Sequence, residues 1–148
     1  MRKYSICTMF FTAAVFAAST SAPGDFSGKW RIDASKSQGH DDEATWMIDQ
    51  KHDSVHIQAF SANSKPIANF ECDTLGKECS FEEDGRPAKV SAWFNGAALV
   101  LLETHGHHGD TVIKKKLELS ANGKQFRMQV DHIVPPGDDE TIVYDKIQ

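Results

Sequence analysis

Catalytic and cofactor-binding signatures are scarce in this 148-residue chain. It has no Gly-x-Ser-x-Gly nucleophile turn and no glycine-rich phosphate loop, so the α/β-hydrolase and phosphate-loop layouts are excluded and no cofactor is expected. Asp131 and His132 adjoin, but neighbours on a strand point to opposite faces and cannot act together on one substrate. Basic charge is also short, with 16 Lys and Arg against 21 Asp and Glu, which argues against nucleic acid as a partner. Beyond the first residues no 3.6-residue pattern of helix length, no internal repeat and no low-complexity tract appears. These absences point away from an enzyme.

The first segment, residues 1–22, begins with Arg2 and Lys3, runs apolar from Tyr4 to Ala18 and ends in small residues. This is the layout of a secretory signal peptide, and the run falls short of the ~20 residues a membrane span needs. Its removal deletes Arg2 and Lys3, so the 16 basic residues fall to 14 against 21 acidic, and it deletes Cys7. Residues 23–148 then make one secreted or periplasmic domain with no stable membrane insertion. They retain Cys72 and Cys79, an even pair in a compartment that permits a disulfide.

What the chain does contain is alternation. Short runs of apolar and polar residues, such as "TWMIDQ", "SVHIQAF" and "TVIKKKLELS", are separated by turn dipeptides including Asp84-Gly85, Asn95-Gly96 and Asn122-Gly123. About ten such runs predict an all-β, up-and-down antiparallel meander. Each turn fixes which residues face each other. Asp84-Gly85 sets Phe81 opposite Ala88 and Cys79 opposite Val90, Leu75-Gly76 sets Cys72 opposite Cys79, and His52-Asp53 sets Ile48 opposite Ile57. Asn95-Gly96 sets Ala92 opposite Leu99 and Ala88 opposite Glu103. Asn122-Gly123 sets Leu117 opposite Met128 and Lys115 opposite Val130. A bulged loop near His108-Gly109 then brings Leu101 opposite Leu117 and Glu103 opposite Lys115. All these pairs share one apolar inner face, which closes most economically into a barrel. Residues 35–44, "SKSQGHDDEA", read as the most linker-like stretch.

The stretch "FSGKW", Phe26 to Trp30, resembles the Gly-x-Trp opening of the calycin superfamily, the lipocalins and fatty-acid-binding proteins. The longer "DFSGKWRIDASKS" is similar to the start of small secreted lipocalin-like proteins. The resemblance implies a calycin-like barrel whose base is closed by Gly28 and Trp30, the Trp packing beneath a basic residue from a late strand.

Lys115 is the anomaly of the inner face, because an inward ammonium costs free energy unless something receives it. With Glu103, His132 and Tyr144 it forms a small polar set beside Leu101, Leu117, Met128 and Val130. That arrangement suits a small hydrophobic or amphipathic ligand, its head on the polar set and its tail along the apolar residues. Two other readings stand beside it. The inward Trp30, Trp46, Phe70, Phe81, Phe94, Phe126 and Met128 can fill a small barrel and leave a structural or interaction module. The histidine-rich turn with His105, His107, His108 and Asp110 offers donors that suit a transition metal.

Overall fold

Alternation along the chain becomes ten strands in the computed structural model, which describes residues 21–106 and 110–148. Residues 1–20 of the predicted leader lie outside the described residues. The strands are β1 (Gly28–Ile32), β2 (Thr45–Gln50), β3 (Ser54–Phe60), β4 (Pro66–Asp73), β5 (Leu75–Glu83), β6 (Arg86–Asn95), β7 (Ala98–His105), β8 (Thr111–Leu119), β9 (Gln125–Val134) and β10 (Glu140–Lys146). Each pairs antiparallel with the next, and β1 pairs with β10 through Trp30↔Lys146 and Ile32↔Tyr144, so the sheet closes into a barrel with no free edge. No helix forms among the described residues.

Most of the expected registers hold. Ile48 faces Ile57, Phe81 faces Ala88, Cys79 faces Val90, Leu117 faces Met128 and Lys115 faces Val130. Cys72 and Cys79 form a disulfide between β4 and β5, with Cα atoms 5.8 Å apart. Beside it the Phe70 and Phe81 rings lie 4.9 Å apart.

Two registers differ, each by two residues. Between β6 and β7 the pairs are Ala92↔Leu101, Val90↔Glu103 and Ala88↔His105, because Asn95 pairs with Ala98 and the loop is Gly96-Ala97. Gly96, at φ 61°, occupies the first loop position, the place a type II′ turn reserves for glycine. Between β7 and β8 the pairs are Leu99↔Leu117, Leu101↔Lys115 and Glu103↔Ile113, because β7 runs on to His105, which faces Thr111. Lys115 therefore lies opposite Leu101, with Glu103 two positions further along β7 on the same face. A slip of two keeps every side chain on its face, so the inner face is the expected one.

The interior is full. Phe26, Trp30, Trp46, Phe126, Tyr144, Leu99, Leu101, Leu117, Met128 and Ile142 are all essentially without solvent contact. Phe126 sits at the centre, its ring centroid 4.9 Å from Trp30 and 4.7 Å from Tyr144. At the base, the Trp30 indole N–H donates to the Phe26 carbonyl at 2.8 Å and the Lys146 ammonium lies 5.2 Å from the Trp30 ring centroid. Gly28 has φ 137°, and a Cβ there would come within 2.5 Å of the Gln148 carbonyl oxygen. The C-terminal residues thus pack against this closed end.

Candidate functional site at the open end of the barrel

Residues 33–44, which join β1 to β2, fold over the open end as a strap. Gln38 and Thr141 exchange backbone hydrogen bonds of 2.6 and 2.8 Å, and the Val143 amide donates to Ser37 Oγ at 3.0 Å, which ties the strap to β10. Asp41 accepts the Glu43 amide at 2.9 Å, and the Tyr144 hydroxyl lies 2.8 Å from both Asp41 Oδ2 and the Glu43 carbonyl oxygen. The short polar side chains that make this stretch look like a linker are the ones that hold it down.

The strap delivers Glu43 to Lys115. The ammonium donates to Glu43 Oε2 at 3.2 Å, stands 3.0 Å from Glu103 Oε2 and lies 5.4 Å from the centroid of the Trp46 ring. All three ionisable groups are buried. Glu103 belongs to β7 and reaches Lys115 diagonally, as inner-face neighbours on adjacent strands do.

His105, at the end of β7, points inward between two acids. Its Nδ1 is 2.8 Å from Glu83 Oε2 and its Nε2 is 3.4 Å from Glu103 Oε2. The Phe81 ring stands edge-on to it at 6.4 Å.

Protonation follows from these contacts. Burial pushes the Glu43 carboxyl up to about 8 against the pull of Lys115, so it is mostly protonated at neutral pH. Burial opposes the ionisation of Glu103 as well, but Lys115 and His105 outweigh it and hold this carboxyl below its ordinary range. Glu103 and Glu83 together push the His105 imidazole up to about 9. Burial alone would lower the Lys115 ammonium; Glu103 and Glu43 reverse that and raise it well above its usual value. Burial raises the Tyr144 phenol well above its ordinary value, reinforced by Asp41 and Glu43. At neutral pH Lys115 is therefore an ammonium, His105 an imidazolium and Glu103 a carboxylate, while Glu43 is a neutral carboxyl.

Above these groups opens a cavity of ≈ 610 Å³, walled by Glu43, Glu83, Glu103, His105 and Lys115 on the polar side and by Ile113 and Val130 on the apolar side. Its carboxyl groups outnumber its lysines and arginine. A second hollow of ≈ 520 Å³, on the outside of the barrel near Lys36, Glu118 and Arg127, brings no such buried charges together.

Of the residues singled out from the sequence, Glu103, Lys115, His132 and Val130 line this cavity. His132 stands at the rim, half-exposed, with its Nε2 3.8 Å from Glu140 Oε2. Tyr144 lies beneath the strap, and Leu101, Leu117 and Met128 form the packed layer under the cavity floor. Of the histidine-rich turn, His105 faces the barrel interior and Asp110 is exposed, while His107 and His108 lie outside the described residues.

Sequence reasoning missed Glu43, Asp41 and Glu83. For Glu83 the signal existed, because it continues the inward series Cys79, Phe81 on β5. For Glu43 and Asp41 it did not, since an irregular strap carries no periodicity.

No protein-family model matches the sequence, nor does any curated protein sequence. Solved structures do match in fold. A secretory abundant heat soluble protein from Ramazzottius varieornatus superposes with a TM-score of 0.67 at 14% identity, covering 86% of this chain and 99% of that one. A protein described as the REP1-NXSQ fatty acid transporter superposes at 0.61 with 17% identity, covering 83% and 96%. Echinococcus granulosus fatty-acid-binding protein 1 superposes at 0.59 with 14% identity, covering 83% and 98%. The fold is that of the calycin-type β-barrels.

Proposed function

We propose that this barrel, exported after loss of residues 1–22, binds one small amphipathic molecule at its open end and performs no chemistry on it. The observation that carries the reading is the ≈ 610 Å³ cavity, in which buried charged groups face an apolar wall. Glu103, Lys115 and His132 surround the head of the ligand and Val130 and Ile113 take its apolar part. Leu101, Leu117 and Met128, with Tyr144, support the floor from below. Because carboxyl groups predominate in the wall, a head that carries positive charge or donates hydrogen bonds is favoured over a carboxylate. The fatty acid transporter and the fatty-acid-binding protein among the fold neighbours lend support to an amphipathic ligand, and the disulfide suits an oxidising compartment.

Displacement of a fluorescent cationic amphiphile and of a fluorescent fatty acid tests this. The cationic probe should bind saturably and more tightly than the fatty acid, and Ile113→Trp, which fills the apolar wall, should abolish its binding. Failure of both probes to saturate would sink the reading. The packed aromatic interior favours a second one, a filled structural or interaction module, and that outcome would select it.

A further inference from the structure

We infer that the open end also holds a transition-metal site, of the class that takes zinc, formed by His105 and Glu103 and oriented by Glu83. A ligand atom from each of the three residues lies within 4.8 Å of the other two. His105 Nε2 and Glu103 Oε2 are both buried, face each other at 3.4 Å and make no aligned hydrogen bond, although the Lys115 ammonium stands 3.0 Å from the same Glu103 oxygen. For an ion bound tetrahedrally to an imidazole nitrogen and a carboxylate oxygen, the two donor atoms stand about 3.4 Å apart. The other ring nitrogen is held 2.8 Å from Glu83 Oε2. A metal-bound imidazole characteristically gives its second N–H to a carboxylate in this way, which fixes the tautomer and aims the free lone pair.

The surroundings permit the ion. Glu103 is 3% exposed, so its carboxylate is aimed into the cavity by its packing and does not wander. Lys115 is the competing cation on Glu103 Oε2, at 3.0 Å, but its aligned hydrogen bond goes to Glu43 Oε2 at 3.2 Å, a bond that metal binding need not break. The proton on His105 Nε2 leaves to solvent as the ion takes its place. Water supplies the remaining coordination from the cavity side. Imidazole with carboxylate is a donor set for zinc, cobalt or nickel rather than for calcium or magnesium.

The site shares Glu103 and one cavity wall with the amphiphile site, but zinc itself is the probe and no amphiphile is needed for the test. The whole chain, stripped with chelator and dialysed, is titrated with zinc by calorimetry in a low-affinity competing buffer. One zinc per chain is expected. Glu83→Gln, half-exposed and not part of the packed core, should fold normally and weaken binding about 10- to 100-fold. His105→Gln should abolish the saturable event, with a matching circular dichroism spectrum to certify the fold. The double change His107→Asn, His108→Asn should leave the affinity within about threefold, the scatter of replicate titrations. The inference is overturned by a wild type that shows no saturable zinc binding, or by binding that persists in His105→Gln.

Discussion

Glu43 and Lys115 stand 72 positions apart in the chain and meet at 3.2 Å, carboxyl oxygen to ammonium, inside the open end of the barrel. The contact joins the β1–β2 strap to β8 and makes the strap part of the core. It is also uneven, because Glu43 is largely protonated at neutral pH and Glu103 carries the charge.

That unevenness gives a mutational prediction. Lys115→Met leaves the Glu103 carboxylate buried without its main partner, and should destabilise the fold by about 3–5 kcal/mol. Glu43→Gln keeps an oxygen that accepts from Lys115 and removes no charge at neutral pH, and should cost about 1 kcal/mol or less. Urea unfolding of the two variants and the wild type decides: equal losses would contradict the assigned protonation.

Stability should fall with rising pH. The imidazole of His105 is raised from 6.5 to about 9, so its contribution is complete below pH 6.5 and is lost as pH rises through 9. Glu43, raised to about 8, acts in the same direction, since the folded state keeps a proton that the unfolded chain releases near its ordinary value. The groups facing His105 are Glu83, Glu103 and, beyond Glu103, Lys115. Between pH 6.5 and 9 the unfolding free energy should drop by ~1–3 kcal/mol through His105, and His105→Gln should flatten that part of the profile. A profile that rises across this window would refute the assignment.

The Cys72–Cys79 bridge closes a loop with a sequence separation of 7. By loop entropy it should contribute about 2 to 3 kcal/mol. Unfolding midpoints with and without reductant measure this directly. Titration of the unfolded, unreduced protein that finds two free thiols at these positions would show that the bridge does not form.

Gly28→Ala should be costly for its size. The backbone is at φ 137°, and the added methyl meets the Gln148 carbonyl oxygen and the Lys146 side chain. A loss of about 1–3 kcal/mol is expected, together with loosening of the C-terminal residues, read by hydrogen exchange of the Lys29 and Ile147 amides that pair there. Unchanged exchange at these amides would mean that the base does not depend on Gly28.

Local patterning carried most of the architecture. Period-two alternation names the inner residues, the turns at His52-Asp53, Asp84-Gly85 and Asn122-Gly123 set registers that the barrel keeps, and Cys72 joins Cys79 as the Leu75-Gly76 alignment expects. The buried lysine was legible too, because Lys115 shares its face with Ile113 and Leu117 whatever the partner strand does. Tertiary structure decided what alternation is blind to. A two-residue slip preserves the face of every side chain, so the pattern could not choose between Glu103 and Leu101 as the residue opposite Lys115, and the course of the β6–β7 and β7–β8 loops made the choice. Glu43 enters from a strap with no period at all, positioned by Tyr144 and the edge of β10. Whether the interior is hollow depends on how Trp30, Trp46, Phe126 and Tyr144 interlock, a matter of volume in three dimensions, and their packing leaves the open end as the place where this chain can hold something.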